Sequence, residues 1–317
     1  RLFAEKPQVK TAILDAIRLK IDNTSAIESH VQDVVTSIAN VVGCADTRRG
    51  VDMGWQCEVR PLLIAAWREF VNDPETQVER WFKDGSPMGI LARPVSCNIF
   101  PEYSDQQATT RPEDLVTEEA AEHAAVDDEA IQELDAMVKR KWIKKFESKF
   151  KAKQYVKGRI VLSKLLVIAK ERKTSDGKGG VIKKIKRRLL LNLKRSGVTD
   201  AAVKTERPEL PRVLDIIFSN LEMLKKRKHQ DHRLRHLVLD FSNAFFNFPT
   251  RPDERKYFAA RVRQHIYIWH RAVQGSRGAP LVCGRALALA MRMACAVLPE
   301  NAMTAATYVD DPLCSSL

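Results

Sequence analysis

The chain lacks the features that mark zinc-binding, secreted and membrane-spanning proteins. Its six cysteines are scattered without C-x-x-C spacing, which argues against a zinc ribbon and against a secreted disulfide framework. No segment approaches the roughly 18 uninterrupted apolar residues of a membrane span, and the N-terminus lacks the apolar core of a signal peptide. There is no internal repeat. We therefore expect a soluble intracellular protein, cytoplasmic or nuclear, without a membrane partner.

Acidic residues are in deficit. The 317 residues contain 53 Lys and Arg against 40 Asp and Glu, which gives a net charge of +13 and a pI near 9.5. This balance favours a polyanionic partner, and charge alone does not separate nucleic acid from an anionic membrane face. At 44% hydrophobic residues, the chain can bury one large core or two modest ones, and its length indicates about two domains.

Composition changes along the chain predict three regions. The second of them begins with acidic residues and ends with basic ones, an order that suits a helix dipole. Within it, Trp142, Phe146 and Phe150 recur at i, i+4 and i+8, which predicts a basic amphipathic helix. The regions are a mostly helical N-terminal part of unknown role (1–100), a charged linker and helix (101–155) and a mixed helix and strand part (156–317).

The third region carries strong local signals. Two β-rich runs between 160 and 195, joined by a Gly-containing turn, predict a basic hairpin. A helix is predicted at "PRVLDIIFSNLEMLKKRK", opened by Pro211, and a short strand then runs into Asp240. Strands at "ERKYFAARV" and "HIYIWHRAV", a helix at "GAPLVCGRALALAMRMACAVL" and a hairpin at "TAATYVDDPLC" follow.

Two carboxylate sites lie at the ends of predicted strands far apart in the sequence, at Asp240 and at the pair Asp310-Asp311. Phosphoryl transfer with two metal ions needs such acids, because ions roughly 3.5–4 Å apart must share carboxylate ligands. Adjacent acids also repel each other unless a cation lies between them. An isolated Asp-Asp pair is more often only a solvated turn, so a metal site can be inferred here only from the motifs that accompany the pair.

Three boxes in this region resemble those of the reverse transcriptases, in that family's order and with similar gaps. "YVDD" is similar to its Tyr-x-Asp-Asp box, "LVLDFSNAFFNFP" to the box in which a catalytic Asp precedes an aromatic by five residues, and "VQGSRGAP" to its Gln-Gly box. A joint match is more specific than any single motif. The wording is most similar to retrotransposon polyprotein enzymes of a divergent type common in dinoflagellates.

The resemblance implies roles for individual residues. Asp240 and Asp310 would be direct ligands of two Mg²⁺ ions, which Mn²⁺ can replace, with the backbone carbonyl of Phe241 as a further ligand. Asp311 would support the metal site and the primer end, next to Tyr308 and Val309 of the same box. Phe245 would pack beneath the incoming sugar and exclude a 2′-OH. Without the motif, an ordinary buried Phe of the core is the alternative interpretation. The remaining deoxynucleotide contacts implied by the resemblance are Gln274, Gly275, Arg188, Arg187 and Lys170.

The resemblance further implies an α+β fold: a polymerase palm with a small antiparallel sheet backed by helices, and a fingers hairpin. It implies RNA-directed DNA synthesis on an RNA or DNA template with a primer, with RNase H or integrase as further polyprotein domains. The chain ends soon after its YVDD box, so we expect the thumb to be absent. Pro312 lacks a backbone donor, which predicts that its strand lies at a sheet edge. Two alternatives stay open: a non-catalytic nucleic-acid-binding remnant and an RNA-dependent RNA polymerase.

Overall fold

The chain forms an α+β fold with several small antiparallel sheets. The computed structural model describes residues 25–48, 51–52, 55–56, 59–103, 108–115, 126–175, 181–227, 233–241, 243–296, 298, 303–308 and 311–316. The helices are α1 (Ser25–Val42), α2 (Pro61–Phe70), α3 (Val78–Asp84), α4 (Asp128–Lys139), α5 (Lys149–Tyr155), α6 (Val198–Ala201), α7 (Val213–Lys225) and α8 (Ala279–Ala296). The strands are β1 (Val51–Asp52), β2 (Trp55–Gln56), β3 (Ile143–Phe146), β4 (Lys164–Ser175), β5 (Val181–Asn192), β6 (Arg235–Val238), β7 (Ala259–Val262), β8 (His265–Trp269), β9 (Met303–Tyr308) and β10 (Asp311–Ser316).

One three-stranded sheet has the order β6-β10-β9, with both pairs antiparallel. The hairpin predicted at "TAATYVDDPLC" is confirmed as β9 and β10, and α8 packs on β9. By length and mean hydropathy (1.3) α8 resembles a membrane span, but 56% of it is buried inside the protein. Apolar residues line its inner side. Burial of this kind is what a core helix of a folded domain requires.

A second sheet has the order β3-β8-β7. The continuous helix predicted through Trp142, Phe146 and Phe150 is wrong, because residues 143–146 form strand β3. Helix α4 ends at Lys139, Lys141 has a φ of +58°, and residues 143–146 pair antiparallel with β8. The left-handed backbone at Lys141 stops the helix, and pairing with β8 then satisfies the backbone of the next residues. Phe150 is 69% exposed.

Strands β4 and β5 form the predicted basic hairpin, with Lys164 opposite Asn192 at its base. At that end Leu165, Leu189 and Leu191 are buried in the main core. The apolar base therefore anchors the hairpin, and Lys170 and Arg188, further along it, are exposed. This arrangement sets β5 beside α4.

The main core includes residues from the N-terminal region. Trp81, Phe82 and Met88 pack in the same cluster as residues of β8 and α8. The buried Glu254 carboxylate accepts hydrogen bonds from four backbone N–H groups of residues 88–92, at 2.6–3.2 Å. Packing thus crosses residue 100, where the sequence predicts a domain boundary. The three-region division itself stays a prediction.

Candidate active site

A cavity of about 320 Å³ brings together side chains from four distant parts of the chain. Residues of α4, of the β4–β5 hairpin, of the segment after β6 and of the loop before α8 form its walls. Seven residues that the sequence singles out for nucleotide or metal binding line it: Lys170, Arg187, Arg188, Asp240, Phe241, Phe245 and Gln274. Gly275, Tyr308 and Asp311, although described, are not part of the lining.

The register between β6 and β10 sets the position of the acids. Leu313 is opposite Val238, and the Leu239 N–H donates to the Pro312 carbonyl at 2.9 Å. Continued by one residue, the register places Asp240 opposite Asp311. Residues that face each other across an antiparallel pair project to the same side of the sheet. The two described acids therefore come from neighbouring strands and share one face.

A cross-strand contact four residues further along supports this orientation. Ser315 is opposite His236, and the Ser315 hydroxyl and His236 Nδ1 lie 2.9 Å apart. A step of four residues along a strand returns to the same face. Asp311 and Asp240 are four residues from Ser315 and His236, so all four side chains project to one side of the sheet.

The acids fit a divalent cation by their chemistry. Asp240 and Asp311 are exposed, and neither carboxylate has a hydrogen bond or ion pair with other residues that the structure describes. Like charges that face each other across a strand pair destabilise it unless a cation compensates them. Across the described ranges, no three His, Cys, Asp or Glu side chains form a group suited to a metal ion. Val309 and Asp310 lie outside the described residues.

Pro312 occupies a central strand, and the edge position predicted for it is wrong. Strand β10 lies between β6 and β9. Pro312 is the second residue of this strand, and its carbonyl faces Leu239. The missing N–H therefore costs one ladder bond at the end of the β6–β10 pair, where the strands separate, rather than one in its middle.

Phe245 lies on a short 3-10 turn, Ala244–Asn247, that begins after the left-handed Asn243 (φ +54°). The Phe245 side chain is partly buried and packs against the main core. Its ring therefore forms a supported wall of the cavity. The Phe241 carbonyl accepts a hydrogen bond from the Ala244 N–H at 3.2 Å, so one of its two lone-pair directions is engaged within the turn.

Gly275 follows Gln274 and has a φ of +96°. A Cβ atom there would lie 3.3 Å from the Leu191 carbonyl oxygen of β5. The left-handed backbone and the close approach of β5 both favour glycine. The Gly275 backbone thus lies close to the hairpin, which holds Gln274 beside β5.

The basic side of the cavity divides into two kinds of residue. Lys170 and Arg188 are exposed, and neither side chain has a hydrogen bond or ion pair in the described part of the chain. The β4–β5 register, which pairs Lys170 with Lys186 and Ile168 with Arg188, places Lys170 and Arg188 on one face as diagonal neighbours. Arg187, in contrast, forms ion pairs with Asp127, the N-cap residue of α4, and with Glu129 of α4.

Part of the cavity lining could not be predicted from the sequence. Glu133 and Met137 of α4, with Trp142 and Phe246, complete the walls. The Trp142 and Phe246 rings are stacked, with centroids 4.6 Å apart and planes 3° apart, and Phe246 lies next to Phe245 on the same turn. These contacts join parts of the chain that are distant in sequence. Only the clustering of aromatic residues in "AFFNF" offered a signal.

Comparisons with known proteins give no match by sequence and only a weak structural similarity. No protein-family model matches the chain, and no curated protein matches it. Among solved structures, it is similar to a foamy viral protease-reverse transcriptase in complex with double-stranded DNA, at 17% identity and a TM-score of 0.34. The match covers 58% of this chain and 24% of that one, so the chain spans about a quarter of that structure. A structural similarity this weak does not indicate a function for the chain.

Proposed function

We propose that this chain carries the catalytic centre of a retroelement reverse transcriptase, which extends a primer with deoxynucleotides on an RNA template. The observation that carries the proposal is the cavity that gathers Asp240, Phe245, Gln274 and Arg188. Asp240 and Phe245 come from one box, Gln274 from a second and Arg188 from the hairpin, and their chemistry suits the parts of a deoxynucleoside triphosphate. A single motif match would not require them to converge.

Each wall of the cavity suits one part of the nucleotide. Arg188 and Lys170 offer unpaired positive charge to the phosphates, and the planar guanidinium can hold phosphate oxygens in a bidentate manner. Phe245 presents an apolar ring to the sugar, which leaves no polar partner for a 2′-OH. Gln274 provides an amide that can donate and accept hydrogen bonds.

The acidic end suits the reacting groups. Asp240 and Asp311 project from one face of the β6–β10 pair, and Asp310 is the covalent neighbour of Asp311. We propose these three as the ligands of two Mg²⁺ ions, with Mn²⁺ as a substitute. When bound, the metal supplies charge that activates a hydroxyl for attack and stabilises a leaving pyrophosphate. The protein's own contribution is the fixed strand register, which sets the carboxylates in place before substrates arrive.

The architecture is consistent with this assignment. In our proposal the sheet β6-β10-β9 with α7 and α8 is the palm, and the β4–β5 hairpin belongs to the fingers. The net charge of +13 favours a template and primer as partners, because phosphate contacts dominate affinity for nucleic acid. RNase H and integrase domains of the same polyprotein are proposed partners on the sequence resemblance alone.

Primer extension on poly(rA)/oligo(dT) with Mg²⁺ tests the proposal. We expect extension with dTTP, and a loss of at least about 100-fold in Asp240→Asn, since disturbing a metal site costs 10–100-fold or more. Asp135→Asn is the matched control, because Asp135 is half-exposed, pairs with Lys145 at 3.4 Å and is not part of the cavity lining. Equal loss in both variants would contradict a specific role for Asp240.

The same assay separates the other candidates. Tight binding of the template and primer without any extension would favour the non-catalytic remnant. Extension with ribonucleotides in preference to deoxynucleotides would favour an RNA polymerase. Phe245 argues against the second case, since a ribonucleotide site needs room and a polar partner beside the 2′-OH.

A further inference from the structure

We propose that Arg187 is a positioning residue that clamps α4 to β5 and so fixes one wall of the nucleotide cavity. The inference rests on the proposed function, and it gives Arg187 a role other than the direct nucleotide contact implied by the sequence resemblance. Arg187 Nη2 and Nε lie 2.7 and 2.8 Å from Asp127 Oδ2, and Nη1 pairs with Glu129.

Asp127 makes two contacts at once. Its Oδ1 accepts a hydrogen bond from the Ala130 N–H at 2.8 Å, which caps α4, while Oδ2 binds Arg187. The Arg187 guanidinium also holds the pKa of the Asp127 carboxyl below its ordinary value. The acids suit the positive end of the helix dipole. The start of α4 is thereby fixed on β5.

The clamp lies between two walls of the cavity. Helix α4 contributes Glu133 and Met137 to the lining, and β5 contributes Arg188. Neighbouring residues of a strand project to opposite faces. Holding the Arg187 side chain therefore constrains the direction of Arg188, the residue proposed to bind phosphate.

Charge supports this division of roles. The Arg187 side chain is 16% exposed and faces two carboxylates, so its positive charge is already compensated. Arg188 is exposed and has no such partner among the described residues. A triphosphate would be attracted to the uncompensated guanidinium of Arg188. Arg187 could bind it only by breaking its ion pairs with Asp127 and Glu129.

Steady-state primer extension on poly(rA)/oligo(dT) with varied dTTP distinguishes positioning from direct contact. In Arg187→Gln and Asp127→Asn we expect KM for dTTP to rise by about tenfold, the scale on which outer-shell partners act, with kcat nearly unchanged. Asn remains a good N-cap, so Asp127→Asn removes the charge and keeps the cap. Arg187→Lys keeps the charge and is expected to recover part of the affinity.

Asp128→Asn is the matched control. It lies on the same turn of α4 and breaks an exposed ion pair with Arg263 of 2.9 Å, so KM should stay at the wild-type value. An unchanged KM in Asp127→Asn, or a loss of kcat in Arg187→Gln at constant KM, would overturn the clamp.

Amide hydrogen exchange provides a readout that does not need activity. We expect faster exchange over 128–139 and 185–192 in Asp127→Asn than in the wild-type chain, because both elements lose a shared anchor. If the wild-type chain extends no primer, the proposed function fails by itself, and the exchange experiment still decides on the clamp. Equal protection in the two chains would refute it.

Discussion

Arg285 is the cation of a fully buried charge cluster, and its removal is expected to be among the most destabilising single substitutions in the chain. The side chains of Arg285, Glu75 and Glu206 are 0% exposed. Arg285 Nε and Nη2 donate to the Glu75 carboxylate, both at 2.7 Å, and Nη1 lies 3.4 Å from Glu206 Oε2. The cluster thus holds two carboxylates around one guanidinium.

Because one cation serves two acids, Arg285→Met should destabilise the chain more than Glu75→Gln. Arg285→Met leaves Glu75 and Glu206 buried without a cation, and breaking a buried pair in this way costs about 3–5 kcal/mol. Glu75→Gln keeps an amide oxygen for one of the two hydrogen bonds and leaves Arg285 with Glu206. Its cost should be about 1–3 kcal/mol, the range for a disturbed buried hydrogen bond.

Urea unfolding followed by tryptophan fluorescence measures both costs, and the Trp81 ring centroid lies only 5.1 Å from the Arg285 guanidinium. The control is Arg263→Gln, which breaks the exposed pair with Asp128 and should cost less than about 1 kcal/mol. If Glu75→Gln destabilises the chain more than Arg285→Met, the account of one cation shared by two acids is wrong.

Three further predictions concern the site and its support. Burial lowers the pKa of His270 to about 3, so the stability contributed by the neutral ring is present above the usual pKa near 6.5 and is lost as pH falls. The free energy of unfolding should drop by about 2 kcal/mol from pH 7 to pH 5 through this group, a drop that His270→Gln removes; equal pH curves for the two chains would refute it. Phe245→Val should raise ribonucleotide incorporation relative to deoxynucleotide by at least about tenfold in single-nucleotide extension, and an unchanged ratio would remove its sugar-contact role. Gly275→Ala should cost about 1–2 kcal/mol in urea unfolding, because its φ is +96°; a cost near zero would contradict the strain argument.

Elements with complete local signals could be predicted from the sequence. The helix α8 and the strand β8 begin where the sequence pattern places them, whereas β7 covers only the second half of its predicted run, after a 3-10 turn at Arg255–Tyr257. Residues that line the cavity were also singled out from the sequence, in two of the three boxes and in the hairpin, among them Asp240, Gln274 and Arg188. What local patterns could not supply is their mutual arrangement, which depends on pairing between distant strands.

The wrong or missed features depend on distant partners. The stretch 143–146 reads Ile-Lys-Lys-Phe, and the i, i+3 spacing of its apolar residues fits a helix; pairing with β8 nevertheless makes it a strand. The role of Arg187 depends on Asp127 and Glu129, which lie far back in the sequence. Likewise, nothing near Glu75 predicts that it meets Arg285.

Pro312 shows how one residue can connect the sheet to the site. Its carbonyl accepts a bond from the Leu239 N–H at 2.9 Å, but proline has no N–H to return to the Leu239 carbonyl. The β6–β10 ladder therefore ends one residue before Asp240, at the point where the register places the two described acids opposite each other. Released from further pairing, the chain after Asp240 can enter the turn that presents Phe245 to the cavity. A residue with a donor at position 312 would return a hydrogen bond to the Leu239 carbonyl and so favour pairing beyond this point.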